Sequence, residues 1–335
     1  MAAKIDFAMS WEAAKLSGAD AQSTLSRSRL FQRQLFQRHL GFLVFVFVTV
    51  LAFWMPLGRL INFSRTTDYG SHILFIAPVS LYLVYAKRDE FFSAVRFDVL
   101  AGSILFLAGA VLWWFAERST EKSSLQGSSF SLVVLALVII WMSGFVFCYG
   151  IPAFRRASFP LFFLLLVVPI PEFLVDRIIY LLQAGSAAVA YGLLRILQVP
   201  VFKQGFILQL PTLTIEVAKE CSGIRSSLGL LITTLLIGEF SLRSGWRRLL
   251  FTLSTVPILI VKNGARIVTI CLLSIYLDRR FLHGWLHTSG GIVFYALGLA
   301  LLVPILAALR KSEAKAKSND EPVLRSADVV TARQR

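Results

Sequence analysis

LLFTLSTVPILIVKNGARIVTICLLSIYL, residues 249–277, is apolar over most of its length and is interrupted by Arg266 within Lys262-Asn263-Gly264-Ala265-Arg266. A helix that crosses a bilayer needs about 20 mostly apolar residues, and this stretch is long enough. Comparable runs occur at 40–58, 72–86, 99–116, 130–150, 157–171, 222–238 and 288–309. Counted together they predict about eight transmembrane helices, the shorter and longer ones being accommodated by tilt or by a projecting end. Composition agrees: 56% hydrophobic residues and a mean hydropathy of +0.71 leave too much apolar surface for one water-soluble core. The fold class is therefore an all-α integral membrane protein.

A formal charge of +15 would point to nucleic acid in a soluble chain, but here the basic residues follow the gaps between the apolar runs. Placing 1–38, 87–98, 151–156, 239–248 and 310–335 on one side gathers 21 of the 34 Lys and Arg residues there. By the positive-inside rule that side is cytoplasmic, and an even number of spans puts both termini on it. Residues 1–38 read as a cytoplasmic segment, 39–309 as the membrane domain and 310–335 as a disordered basic cytoplasmic tail. The first apolar run ends in Leu57-Gly58-Arg59-Leu60 without a small-residue cleavage site, so no removable signal peptide is expected.

The segment 172–220 is too long and too charged for a simple turn, and it reads as a folded extracytoplasmic insertion. Glu172, Asp176, Arg177 and Arg195 punctuate an apolar helical pattern from Phe173 to Leu197, which suits a helix lying in the membrane interface. Two β-rich runs follow, 205–210 and 213–217, with Pro211-Thr212 between them. They predict a short β-hairpin that delivers the chain to Cys221 and that could clamp an extended peptide by strand addition.

The cysteines are Cys148, Cys221 and Cys271, two of them inside predicted spans, so a disulfide framework is not expected. Cys221 differs from the others. It stands in Glu220-Cys221-Ser222-Gly223-Ile224-Arg225-Ser226-Ser227, where a strand pattern gives way to a helix at a membrane boundary. A helix N-terminus lowers a thiol pKa, and so does a nearby cation, for which Arg225 and Arg266 are the candidates. An arginine within an apolar helix is costly and is usually functional, although one near the headgroups can simply snorkel. Counted from Arg248, Arg266 lies roughly 27 Å along its helix, near the outer boundary. His287 opens the final span on the same face, beside Trp285, and His283 competes with it on similar local grounds. A cysteine, an arginine and a histidine meeting at one face can perform acyl transfer. The thiolate attacks, the imidazole moves the proton, and the cation stabilises the oxyanion.

Rival readings are a transporter or channel, a noncatalytic assembly scaffold and an intramembrane serine protease. A transporter needs polar residues near the bilayer midplane, whereas the spans are nearly free of them and the polar cluster lies at one face. A scaffold would tolerate replacement of all three candidate residues. No serine and histidine pair stands at midplane depth for the serine protease. No metal-ligand spacing is visible, and no cofactor is expected.

These residues resemble the exosortase/archaeosortase family. Cys221-Ser222-Gly223-Ile224-Arg225-Ser226 is similar to its Cys-Ser-Gly motif, and Asn263-Gly264-Ala265-Arg266 to its Asn-x-x-Arg motif. His287, followed by Gly290-Gly291-Ile292-Val293-Phe294, is similar to its final His-to-Gly element. Asp68-Tyr69-Gly70-Ser71-His72 resembles the family's Tyr-Ser-His-Gly approach to the second span, with Gly70 inserted and Ile73 in place of the glycine. Leu166-Val167-Val168-Pro169-Ile170-Pro171 is similar to its Pro-x-Pro segment, so the likeness runs from about 65 to 305. The resemblance implies a membrane-embedded cysteine transpeptidase or endopeptidase of the bacterial cytoplasmic membrane, with its active site on the extracytoplasmic face. Cys221 would be the nucleophile, Arg266 and His287 would carry charge stabilisation and proton transfer, and Ser222, Gly223, Arg225 and Asn263 would support them. The implied partners are exported proteins with a C-terminal tripartite sorting signal (a short motif such as Pro-Glu-Pro, a transmembrane helix and a basic end), an amine acceptor, and membrane lipids, with no nucleic acid.

Overall fold

The computed structural model describes residues 32–67, 69–92, 95–120, 126–211, 213–217, 223–278 and 291–333. Seven of its helices are long and apolar enough to cross a membrane, among the described residues. The chain divides into two compact units. One comprises Met1–Asn62 and Ile73–Pro169; the other comprises Phe63–His72 and Ile170–Arg335.

The first unit begins with α1 (Gln32–Ala52), which is followed after a one-residue break by α2 (Trp54–Thr66). Pro56 accounts for the break, because its ring excludes the carbonyl four residues earlier, at Ala52, and it has no N–H to offer. After α3 (Ile73–Ala86) and the one-turn α4 (Arg88–Phe91) come α5 (Val99–Thr120) and α6 (Gln126–Arg156), which pack against each other along their lengths. Helix α6 is bent where Gly150 leaves helical geometry at φ 83°, and the Arg96 amide donates to the Tyr149 carbonyl at the bend. A short α7 (Ser158–Phe163) runs on into a 3-10 turn (Leu164–Val167), and both pack on α3, where the buried Ser80 Oγ donates to the Pro160 carbonyl over 2.7 Å. The segments 72–86 and 157–171 are therefore shorter helices than the spans expected of them.

The second unit is built on α10 (Gly245–Tyr276), whose 32 residues extend about 48 Å. Helix α9 (Ile224–Ser241) precedes it as an antiparallel partner. Phe251 lies against Gly238, and Arg248 pairs with Glu239 near the turn. Helix α8 (Glu172–Ile196) differs from the interfacial helix expected over Phe173–Leu197. Its 25 residues run parallel to α10, for the contacts climb both helices together. Leu182 shares a cluster with Ile258 and Leu259, Ser186 meets Asn263, and Ala190 and Leu194 pack on Ile267, Val268 and Cys271. The scattered charges that argued for an interfacial helix sit outside this buried stripe of Val175, Ile179, Leu182, Ser186, Ala187, Ala190 and Leu194.

The expected hairpin is present and has a third member. Strands β1 (Phe202–Gln204), β2 (Ile207–Leu210) and β3 (Leu213–Glu216) form an antiparallel sheet in that order. Leu208 faces Ile215 in the β2–β3 register. Leu208, Leu210 and the following Val217 bury themselves on Ala187, Ala190 and Leu194 of α8 and on Ile267, Val268 and Cys271 of α10. The sheet thus stands on the part of α8 and α10 beyond Asn263.

Helix α11 (Gly291–Arg333) completes the unit and continues through the segment read as a disordered tail. Residues 310–317, RKSEAKAK, are mostly strong helix formers, so the helix does not end with the apolar run. Near the α9–α10 turn the Glu313 carboxylate accepts hydrogen bonds from the Arg243 and Ser244 amides, at the N-terminus of α10, and faces Arg247 at 3.8 Å. A carboxylate there satisfies orphan helix donors and complements the helix dipole.

Candidate functional site

The head of α9 is where the sequence candidates gather. Gly223, its N-cap, has φ 66° and ψ 25°, a left-handed conformation in which a Cβ costs roughly 1–2 kcal/mol. A Cβ added at Gly223 would also lie 3.2 Å from Asn263 Oδ1 on α10. So the glycine of the Cys-Ser-Gly run is fixed by backbone geometry and by the helix that faces it. Cys221 and Ser222 lie outside the described residues, immediately before this turn in the chain.

Three side chains tie the turn to its neighbours. Ser226 Oγ donates to the Gly223 carbonyl at 3.0 Å. Lys262 Nζ donates to Ser226 Oγ at 2.6 Å. Asn263 Nδ2 donates to Ser186 Oγ on α8 at 3.0 Å, both side chains being buried. The helices can approach this closely because Gly264 has no side chain; a Cβ there would stand 2.5 Å from Val189 Cγ1. In Asn263-Gly264-Ala265-Arg266 the asparagine and the glycine are thus both used in joining α8 to α10. Arg266 lies one turn above Lys262 on the same helix and is half-buried, as its place near the site end of a long apolar helix requires. Arg225 is exposed.

The strand that leads to the site is anchored as well. The buried Gln183 of α8 donates through Nε2 to the Val217 carbonyl at 2.8 Å, and the Val217 amide donates to Phe206. From the other side of the sequence, Tyr69 packs in one cluster with Ile170, Val175, Ile179 and Ile224, the first residue of α9. Its ring meets Phe63 edge-on with centroids 5.6 Å apart. Burial holds the Tyr69 phenol above its ordinary pKa, and the Glu172 and Asp176 charges add to this, so it stays neutral. Ser71 and His72 follow at the start of α3, both half-buried. Hence the Tyr-Gly-Ser-His segment reaches the neighbourhood of the α9 head although about 150 residues of chain separate them.

Of the sequence candidates, then, Gly223 and Asn263 are brought together, and Arg266 is one turn further along α10. His287 and His283 lie outside the described residues. Lys262, Ser226, Ser186 and Gln183 were not singled out by sequence reasoning. Lys262 carried a readable signal, since it and Arg266 are cations four apart on one apolar helix and so share a face. The role of Gln183 had no local signature. Among the described residues no group of three or more His, Cys, Asp or Glu side chains could hold a metal ion.

Chemically, the arrangement offers a rigid turn at a helix N-terminus, buried polar side chains behind it and two cations on the opposing helix. The distance from the α9–α10 turn to this point is about 27 Å along α10, close to the roughly 30 Å hydrocarbon thickness of a bilayer. Neither a curated protein nor a solved structure matches the chain. The sequence profile described as transmembrane exosortase matches residues 54–304, which takes in α2 to α10, the sheet and the first part of α11. With that match covering most of its length, the chain belongs to the transmembrane exosortase family.

Proposed function

We propose that this multi-pass membrane protein is a cysteine transpeptidase that cleaves C-terminal tripartite sorting signals from exported proteins. The observation that carries the reading is the meeting of the Gly223 turn, next in the chain after Cys221-Ser222, with Asn263 on the helix that bears Arg266. In the proposed cycle the Cys221 thiolate forms a C–S bond to the scissile carbonyl carbon. Arg266 stabilises the oxyanion of the tetrahedral intermediate. His287 delivers a proton to the leaving amine as the C–N bond breaks, which leaves an acyl-enzyme thioester. The amine of an acceptor then attacks the thioester and gives its proton back to His287 as the new C–N bond forms and the C–S bond breaks to release the thiolate. Sorting into the envelope or a surface polymer is the outcome.

The orientation follows from charge. Arg243, Arg247 and Arg248 cluster at the α9–α10 turn, which the positive-inside rule assigns to the cytoplasm of a bacterial inner membrane. The α9 head is then extracytoplasmic; with the shorter apolar α3 counted as an eighth crossing beside the seven long helices both termini are cytoplasmic, and a substrate helix in the bilayer presents its recognition motif at the level of the site. The membrane supplies proximity. Strands β1 and β3, the edges of the sheet, are suited to hold an extended peptide by strand addition. Added hydrogen-exchange protection over 202–217 with bound substrate is expected; its absence would remove that part of the proposal.

The test is co-expression of a tagged exported protein bearing the tripartite tail with the wild type, Cys221→Ala or Cys221→Ser. Loss of C-terminal processing in both variants, at normal abundance, supports the thiol mechanism. Processing that persists overturns it and favours the scaffold.

A further inference from the structure

Lys262 is 2% exposed, deep in an apolar helix, and no carboxylate among the described residues forms an ion pair with it. Burying an ammonium among apolar side chains costs several kcal/mol unless hydrogen bonds and charge offset it. The stem is in close quarters too: a Cβ added at Gly298 of α11 would lie 3.4 Å from Lys262 Cδ. A methionine would fill the same volume without the charge, so packing alone does not account for a lysine here.

The hydrogen bonds have a direction that does account for it. A serine hydroxyl has one proton to give. Ser226 gives it to the Gly223 carbonyl, so toward Lys262 it can only accept. The order is therefore Lys262 N–H to Ser226 oxygen, then Ser226 O–H to Gly223 oxygen. The first bond is charge-assisted, and each member polarises the next. At the far end the Gly223 carbonyl also accepts from the Ser227 amide at 2.9 Å, the first bond of the helix. One oxygen thus joins a buried cation to a left-handed turn.

We propose that Lys262 is a positioning residue of this site, acting through Ser226 to lock the Gly223 carbonyl and so the turn that presents Cys221. The proposal rests on the transpeptidase reading for its consequence in catalysis, but its physical content, the presentation of the Cys221 thiol, can be measured without it. Lys262 does not itself need to touch substrate. Its charge orders a hydroxyl, the hydroxyl orders a peptide unit, and the peptide unit sets the entry to α9.

The experiment uses the full chain in nanodiscs with Lys262→Met, Ser226→Ala, the double variant and Ser226→Thr. Two rates are read: maleimide labelling of Cys221, identified as the labelling lost in Cys221→Ala, and turnover of the tagged substrate. Cys148 and Cys271 are buried and contribute little background. Each single variant should change the labelling rate and lower kcat by about tenfold with KM within about twofold, and the double should be no worse than the worse single, since members of one chain are not additive. Ser226→Thr, which keeps the hydroxyl, should recover to within about threefold of wild type. Multiplying losses in the double, a threonine no better than alanine, or wild-type labelling in both singles each overturn the proposal. If Lys262→Met fails to accumulate, Ser226→Ala against Ser226→Thr decides. If Cys221→Ser still processes substrate, the transpeptidase reading fails, while the labelling rates still judge the positioning role.

Discussion

Replacing Gly223 by alanine should damage the site by an amount that follows from two features of the turn. At φ 66° an L-residue loses about 1–2 kcal/mol relative to glycine, and because Gly223 is the N-cap rather than a helical residue, alanine recovers no helix propensity in exchange. At about 1.4 kcal/mol per factor of ten, the population of the native turn falls roughly 5- to 30-fold relative to relaxed alternatives. The new methyl would also stand 3.2 Å from Asn263 Oδ1, inside ordinary contact distance, and Asn263 is held by Ser186. The asparagine can retreat only by weakening that bond. Asparagine at 223 tolerates the left-handed region better than alanine, and valine tolerates it worse. The expected order of processing by the co-expressed enzyme is therefore Gly, Asn, Ala, Val. Thermal unfolding in nanodiscs should follow it, with Gly223→Ala lower by about 1–2 kcal/mol. Equal activity and equal stability for glycine, alanine and valine would show that the turn is neither strained nor used.

Other substitutions probe the supports of the site. Gly264→Val places its Cβ within 2.5 Å of Val189 Cγ1, so it should cost about 1–3 kcal/mol by overpacking and weaken the α8–α10 seam, read as a lower thermal midpoint. Gln183→Leu leaves the buried Val217 carbonyl without its donor and should cost about 1–3 kcal/mol, with faster amide exchange over 213–217 and helix centres unchanged. For the orientation, Gln204→Cys in the sheet and Trp246→Cys near the α9–α10 turn, both exposed positions, should label with a membrane-impermeant thiol reagent only from opposite sides of the membrane. Labelling of both from one side refutes the proposed sidedness. Arg266→Ala should lower processing by about 100- to 1,000-fold if the guanidinium stabilises the oxyanion, and unchanged processing would remove it from that role.

Much of the architecture could be read from apolar run lengths, because the bilayer demands a length of helix that few soluble folds need. The hairpin before Cys221 was legible for a similar reason, since alternation and turn residues are local signals. Helix α8 was misplaced because its charges are scattered at intervals that mimic an interfacial helix. What sets its direction is the match of Ser186, Ala187 and Ala190 to Asn263, Gly264 and Ile267, a fact about two helices at once. The same distinction separates the site residues. Gly223 and Asn263 announced themselves through motifs. Lys262 and Ser226 acquire meaning only when α9 folds back on α10, and Gln183 only when β3 arrives beside α8. Pairings across more than 30 residues leave no trace in either partner's immediate surroundings.

From the α9–α10 turn to Asn263, the helical hairpin supplies about 27 Å of rise, and that length is set by covalent geometry rather than by the lipid. If the turn is moored at one headgroup layer by its arginines, the depth of the α9 head depends on acyl-chain length. A thicker bilayer draws the α9 head into hydrocarbon, and a thinner one lifts it into water, each at a cost of fractions of a kcal/mol per Å. A nucleophile carried just before that head, as proposed for Cys221, would thereby be matched to one class of membrane, with the lipid as a silent determinant of its reactivity.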